Sequence, residues 1–132
     1  MGFFDFFRKD KNQRQEDTVP AEKYWLLAGG DGEIVEPDWP QVEQAVKTAA
    51  DGSAGEFICL SCLNSDLEIE SLQALGEDGL YRVEALPPEG SDDYGKIYVN
   101  DGVVYADVLA FFKEFWEEER VVGFRSWDTE KL

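Results

Sequence analysis

Residues 57–63 read Phe-Ile-Cys-Leu-Ser-Cys-Leu. The run is uncharged, follows a Gly52–Gly55 loop and is too short for a core helix, so it predicts a buried central strand. Downstream, Leu67, Ile69, Leu72 and Leu75 stand among acidic residues and suit one or two half-buried strands. Gly76-Glu77-Asp78-Gly79 reads as a hairpin turn into Leu80–Leu86, where Tyr81, Val83 and Ala85 alternate with Arg82 and Glu84. Pro87 to Asp93 is a loop rich in Pro, Gly and acid. Lys96–Val99 predicts another strand, Asn100-Asp101-Gly102 a turn, and Val103–Tyr105 the return. Between Ala106 and Glu119, Val108, Leu109, Phe111, Phe112, Phe115 and Trp116 form one broad apolar helix face. Glu117–Glu119 crowd the end of that helix, where the macrodipole disfavours them and Arg120 is the offsetting charge. Val121–Trp127 predicts a final edge strand.

Upstream, Tyr24–Ala28 is apolar and β-prone, Gly29–Gly32 is a turn cluster, and Glu33–Val35 predicts the return strand of a hairpin. Asp38 reads as a helix N-cap, with Gln41 three residues on as in a capping box and Pro40 in the first turn. Behind it Trp39, Val42, Ala45, Val46 and Ala49 fall on one helical face, and Asp51-Gly52 ends the helix. These elements predict an α+β fold: an antiparallel-rich sheet of about five or six strands backed by two helices, all within residues 21–132. The helices are too few and too far apart in sequence for a doubly wound sheet.

Residues 1–20 differ in character. Met1–Phe7 holds Phe3, Phe4, Phe6 and Phe7, followed by a polar run closing at Pro20. The segment reads as a flexible Phe-rich tail, with 8–20 as linker. Arg8, Lys9, Lys11 and Arg14 cancel Asp5, Asp10, Glu16 and Asp17, so the whole formal charge of −17 sits in residues 21–132. A short amphipathic membrane anchor is one reading of the tail. It competes with Phe side chains packed on the domain or on another chain, which is favoured because seven residues form no stable helix alone and the acidic body repels anionic lipid. Deleting residues 1–20 is expected to leave the domain folded. The segment is not expected to be a secretory signal, since Asp5 interrupts its short apolar stretch, and Phe6 stands where a myristoylation motif needs Ser or Thr.

Composition removes many functions. The chain has no histidine, which excludes Ser-His-Asp and Cys-His catalysis and His-ligated zinc or haem. Two cysteines cannot build a four-cysteine zinc or iron–sulfur site. The charge opposes nucleic-acid binding, which needs Lys and Arg on phosphates. No run of apolar residues is long enough to span a membrane, so a cytoplasmic protein with reduced thiols is expected.

Cys59 and Cys62 spell C-L-S-C, yet they fall within an apolar strand and not at the start of a helix, where a redox pair would sit. An i, i+3 pair in a strand points to opposite faces, so no disulfide is expected and both thiols should be inert. Asp66, Glu68 and Glu70 alternate with Leu67 and Ile69 as on a solvated strand face, and Glu89, Asp92 and Asp93 sit in the Pro87–Asp93 loop. No EF-hand, dinucleotide or Walker pattern is present, so no metal, cofactor or catalytic residue is assigned. The numerous Trp and Tyr residues would make a protein-binding face wherever they are exposed beside acids.

In order and texture, several pieces resemble small acidic immunity proteins of bacterial polymorphic toxin systems. They are the strand at Tyr24–Ala28, Glu36-Pro37-Asp38-Trp39 opening a short helix that carries Glu43, the apolar strand Phe57–Leu63, and Gly79-Leu80-Tyr81-Arg82-Val83. The resemblance covers residues 24–105 and implies a non-enzymatic inhibitor that docks on a toxin. The leading expectation is therefore a non-catalytic acidic protein-binding domain steered onto a basic partner such as a toxin, with Asp66, Glu68, Glu70, Glu89, Asp92 and Asp93 as contact residues. A carboxylate- or metal-dependent hydrolase, and a structural module that joins partners or a second copy through its Phe-rich tail or aromatic helix, are the alternatives.

Overall fold

A computed structural model of the chain describes residues 22–29, 32–51, 57–77 and 79–131. The tail and linker expected over residues 1–20 lie outside these. The order of elements is β1 (Tyr24–Gly29), β2 (Gly32–Val35), α1 (Trp39–Asp51), β3 (Phe57–Leu63), β4 (Ser71–Glu77), β5 (Leu80–Leu86), β6 (Lys96–Val103), α2 (Tyr105–Glu118), a 3-10 turn (Phe124–Ser126) and β7 (Asp128–Lys131). The strands form one seven-stranded sheet in the order β2-β1-β3-β4-β5-β6-β7, every neighbouring pair antiparallel. The fold is thus α+β, with a larger sheet than the five or six strands expected. No described helix is long and apolar enough to cross a membrane.

Strand alternation sets the layers. Leu27, Leu60, Leu72, Ala85 and Tyr98 stand opposite one another in a single row across five strands. Together with Ile58, Cys62, Ala74, Tyr81 and Val83 they form the sheet side of the core. α1 closes it with Val42, Val46 and Ala49, and α2 with Val108, Phe112 and Phe115. The aromatic face of α2 is therefore spent in the core, with Trp25 edge-on to Phe115 at 5.1 Å and Phe111 against Trp127 at 5.2 Å. The two helices meet through Trp39 and Trp116, whose rings lie 6.0 Å apart.

The start of α1 follows the sequence closely. The Gln41 N–H donates to Asp38 Oδ1 at 2.9 Å, and the Asp38 N–H donates to Gln41 Oε1 at 3.0 Å, a reciprocal capping box. The β4–β5 hairpin closes at the Glu77–Leu80 pair, with Gly79 at φ +83°. Backbone of that hand favours glycine.

Two expectations are corrected. Asn100-Asp101-Gly102 does not reverse the chain: β6 runs through it to Val103. Gly102 adopts φ +68°, and β6 carries one extra residue against β5 between the Val83–Asn100 and Tyr81–Val103 pairs. The turn chemistry makes a bulge instead of a hairpin. The last strand is Asp128–Lys131 instead of Val121–Trp127, because Val121 and Phe124 are drawn into the core and the chain pairs with β6 only beyond them. Glu119, expected to be unfavourable at the end of α2, accepts from Lys23 Nζ at 2.6 and 2.7 Å.

One hydrogen bond ties the sheet to α1: the buried Tyr81 hydroxyl donates to the Val46 carbonyl at 2.8 Å. Tyr81→Phe is expected to lower unfolding free energy by about 1 kcal/mol. Urea denaturation should show the lower midpoint at unchanged slope.

Candidate protein-binding surface

Antiparallel order brings distant acids together. β3 and β5 flank β4 and run the same way, so the connections that leave them, 64–70 and 87–95, emerge at one end of the sheet. α2 starts from the far end of β6 and returns its C-terminal segment to this same end. Arg125 marks the meeting point. Its Nη1 lies 2.9 Å from Asp93 Oδ2, and its Nη2 lies 3.9 Å from Glu68 Oε2.

The six expected contact residues all belong to this end. Asp66, Glu68, Glu89 and Asp92 are exposed, while Glu70 and Asp93 are half-buried. Burial pushes the Glu70 carboxyl up, and repulsion from Glu89 adds to it. The Lys23 ammonium is held up chiefly by Glu119, with a smaller contribution from Asp66, which places that acid nearby.

Asp93 plays a different part. It accepts from the buried Tyr98 hydroxyl at 2.8 Å, from Ser91 Oγ at 3.0 Å and from Arg125. The Tyr98 bond, followed by those from Ser91 and Arg125, holds its carboxyl at about 2, against an ordinary 3.8. Arg125 in turn lies 4.9 Å above the Phe124 ring. The loop is thereby fastened to the core, because Tyr98 and Phe124 are edge-on neighbours at 5.0 Å.

Sequence reasoning did not single out two apolar residues here. Tyr94, next to Asp92 and Asp93, is 56% exposed, and Val122, three residues before Arg125, is 67% exposed. Their neighbours in the sequence are a signal for Tyr94, whereas Val122 looks like any strand residue until Val121 and Phe124 are seen to turn inward.

No family model matches the chain, and no curated protein matches it. A solved structure described as a hypothetical protein from Neisseria gonorrhoeae is similar over 80% of this chain and 95% of that one, with a TM-score of 0.50 and 10% identity. At that identity the likeness shows the fold alone.

The other sites raised by the sequence take these positions. Cys62 faces the helices in the core, and Cys59 points to the opposite sheet face, 3.7 Å from Ser61 Oγ. Burial pushes both thiols up, against the pull of nearby serine hydroxyls. A cleft of about 400 Å³ between the β1–β2 hairpin and α1 is lined by Leu27, Ile34, Ala45 and Phe57 among others. Its carboxylates are Glu33 and Asp38, the latter engaged as the helix cap, and none of the six loop acids reaches it. Among the described residues no group of three or more His, Cys, Asp or Glu is arranged to hold a metal ion.

The lowered Asp93 carboxyl makes stability pH-dependent. Its contribution is fully present above the unfolded value of 3.8 and is lost as pH falls through about 2. Asp93→Ala is expected to cost about 2 kcal/mol at neutral pH by leaving the Tyr98 hydroxyl without its acceptor. The gap from the parent should narrow as pH is lowered from about 4 towards about 2, read from urea midpoints.

Proposed function

We propose that the chain is a non-catalytic protein-binding domain whose acidic end docks on a basic partner, in the manner of an immunity-type inhibitor that covers a toxin. One observation carries this reading: Tyr94 stands exposed in a loop that also presents Asp92 and Glu89, beside the loop that presents Asp66 and Glu68. An exposed aromatic residue in an acid-rich loop has the two parts of a binding site. The charges steer and orient a basic surface, and the ring supplies contact area at small entropic cost.

The chemistry of the partner follows from the sign of the field. A nuclease-like toxin presents cations where it binds phosphates, and a carboxylate-rich surface competes for those cations. On this reading the protein acts by occlusion, needs no cofactor and works in the cytoplasm. The resemblance of residues 24–105 to immunity proteins of polymorphic toxin systems supports the same choice of partner.

The test is affinity capture from a lysate of the source organism over a salt series, using the parent, Tyr94→Ala, and a Glu68→Gln/Glu89→Gln/Asp92→Asn variant. A basic protein retained at low salt and released as salt rises is the expected result. Tyr94→Ala should weaken retention at every salt concentration by roughly tenfold or more. The neutralised variant should flatten the salt dependence. Equal retention by all three proteins, or none by the parent, overturns the proposal.

A further inference from the structure

The two edges of the sheet are built differently. β7, at one edge, is Asp-Thr-Glu-Lys, and a charged edge of that kind repels a further strand. β2, at the other, is Gly-Glu-Ile-Val, with one charge and neither Lys nor Pro. Among the described residues no strand pairs with its outer side, and all four of its residues are exposed. The register fixes which backbone groups are left over. The Glu36 N–H donates to the Trp25 carbonyl at 2.8 Å, and bonded pairs recur at every second residue, here Leu27–Ile34 and Gly29–Gly32. Glu33 and Val35 therefore turn their N–H and C=O groups outward. These donors and acceptors form the repeat that an added antiparallel strand needs.

The side chains beside this edge define what it fits. Ile34 stands opposite Leu27, so it lies on the helix side of the sheet, and it lines the cleft of about 400 Å³ with Leu27, Pro40, Gln41 and Ala45. A side chain carried opposite Ile34 or Gly32 by a further strand enters this recess instead of water. Glu33 and Val35 alternate with Ile34 and point to the second face. There a residue directly opposite Glu33 lies at about 5 Å, close enough to pair with its carboxylate. Among the described residues no lysine or arginine lines the cleft. The occupant is thus an extended chain with apolar residues on the helix side, a cation opposite Glu33 and an apolar residue opposite Val35. A second copy is a poor occupant, because it would bring another −17 to the same edge.

We propose that the β2 edge and the α1 cleft form a second docking surface, which binds an extended segment of a partner protein by antiparallel strand addition. Backbone bonds to Glu33 and Val35 hold the segment, and the cleft selects its apolar side chains. A basic residue of the segment pairs with Glu33. The surface is separate from the acidic end of the sheet, since none of the six loop acids reaches the cleft.

The probe is the peptide acetyl-Thr-Val-Leu-Lys-Phe-Lys-amide. In antiparallel register it sets Val opposite Val35, Leu opposite Ile34, its first Lys opposite Glu33 and Phe opposite Gly32. Its binding to the full chain is measured by calorimetry. N-methylation of the peptide's Val and first Lys amides, which face β2, is expected to weaken binding by at least about tenfold. N-methylation of its Leu amide, which faces away, should change binding by less than about twofold. Val35→Pro removes an outward N–H and spares the bonds to β1, a substitution that an edge strand accepts. It is expected to weaken binding by about tenfold, with melting still cooperative. Ile34→Lys, which sets a cation where the peptide's Leu enters, should abolish binding. No binding at millimolar peptide overturns the proposal. Equal losses from the two methylation patterns also overturn it, by assigning the cleft to apolar contact without a strand. A dimer of the free chain that Val35→Pro dissolves overturns it as well, by giving the edge to a second copy. Should Val35→Pro not fold, the methylated peptides decide on the unaltered protein.

Discussion

The fold rests on keeping one register across five strands. Leu27, Leu60, Leu72, Ala85 and Tyr98 share a row, and the next row joins Ile58, Ala74 and Val83. A slip of one residue in β4 or β5 would turn Gln73 or Glu84 towards the helices and put the buried apolar set on the other face. Burying a carboxylate in an apolar core without a partner is prohibitive, so the register is strongly specified. The Tyr81 hydroxyl reaches the α1 backbone only from this register. The Gly102 bulge serves the same end. By absorbing one residue it lets Tyr98 and Val103 both face the core, although five positions separate them.

That register also explains the division of charge. Arg82 lies on the second face and pairs with Glu84 at 2.7 Å and with Glu130 of β7 at 2.7 Å. It fastens the last edge strand across β6. β7 itself is Asp-Thr-Glu-Lys with all four residues exposed, the kind of edge that discourages pairing with another sheet. Pairs that stay in contact with water each contribute little to stability. Their larger effect is on shape: they settle which charges are neutralised along the sheet, and the connections at its acidic end keep a surplus of carboxylates.

Much of the architecture was legible because it depends on neighbours in sequence. The alternation in Leu80–Leu86, the uncharged run Phe57–Leu63, the Asp38–Gln41 box and the apolar face of α2 all express local rules. The misread places are those where local chemistry permits two outcomes. Asn-Asp-Gly supports a hairpin or a bulge, and pairing with β5 on both sides of it decided for the bulge. Val121–Trp127 has a strand's composition, but Val121 and Phe124 gain more from the core than from a ladder. The candidate site was legible only as residue types. That residues 64–70, 87–95 and 119–125 meet follows from strand order and the return of α2, which no single window of sequence contains. Exposure of Tyr94 depends likewise on how its loop is pinned.

The six acids consequently divide into two kinds of work. Asp93 spends its charge inward on Tyr98, Ser91 and Arg125, and Glu70 is half-buried. Asp66, Glu68, Glu89 and Asp92 stay in water. The inward charge has a consequence for the outward ones. A loop rich in Gly and Pro would wander if free, and ordering it on contact would subtract from any affinity its charges and Tyr94 could generate. Held by Asp93 to the Tyr98–Phe124 edge of the core, the loop is fixed by the chain's own contacts. The buried hydroxyl at Tyr98 thus connects the sheet register to the surface. The row that places Tyr98 opposite Ala85 also fixes where its hydroxyl meets Asp93, and with it where Asp92 and Tyr94 face water.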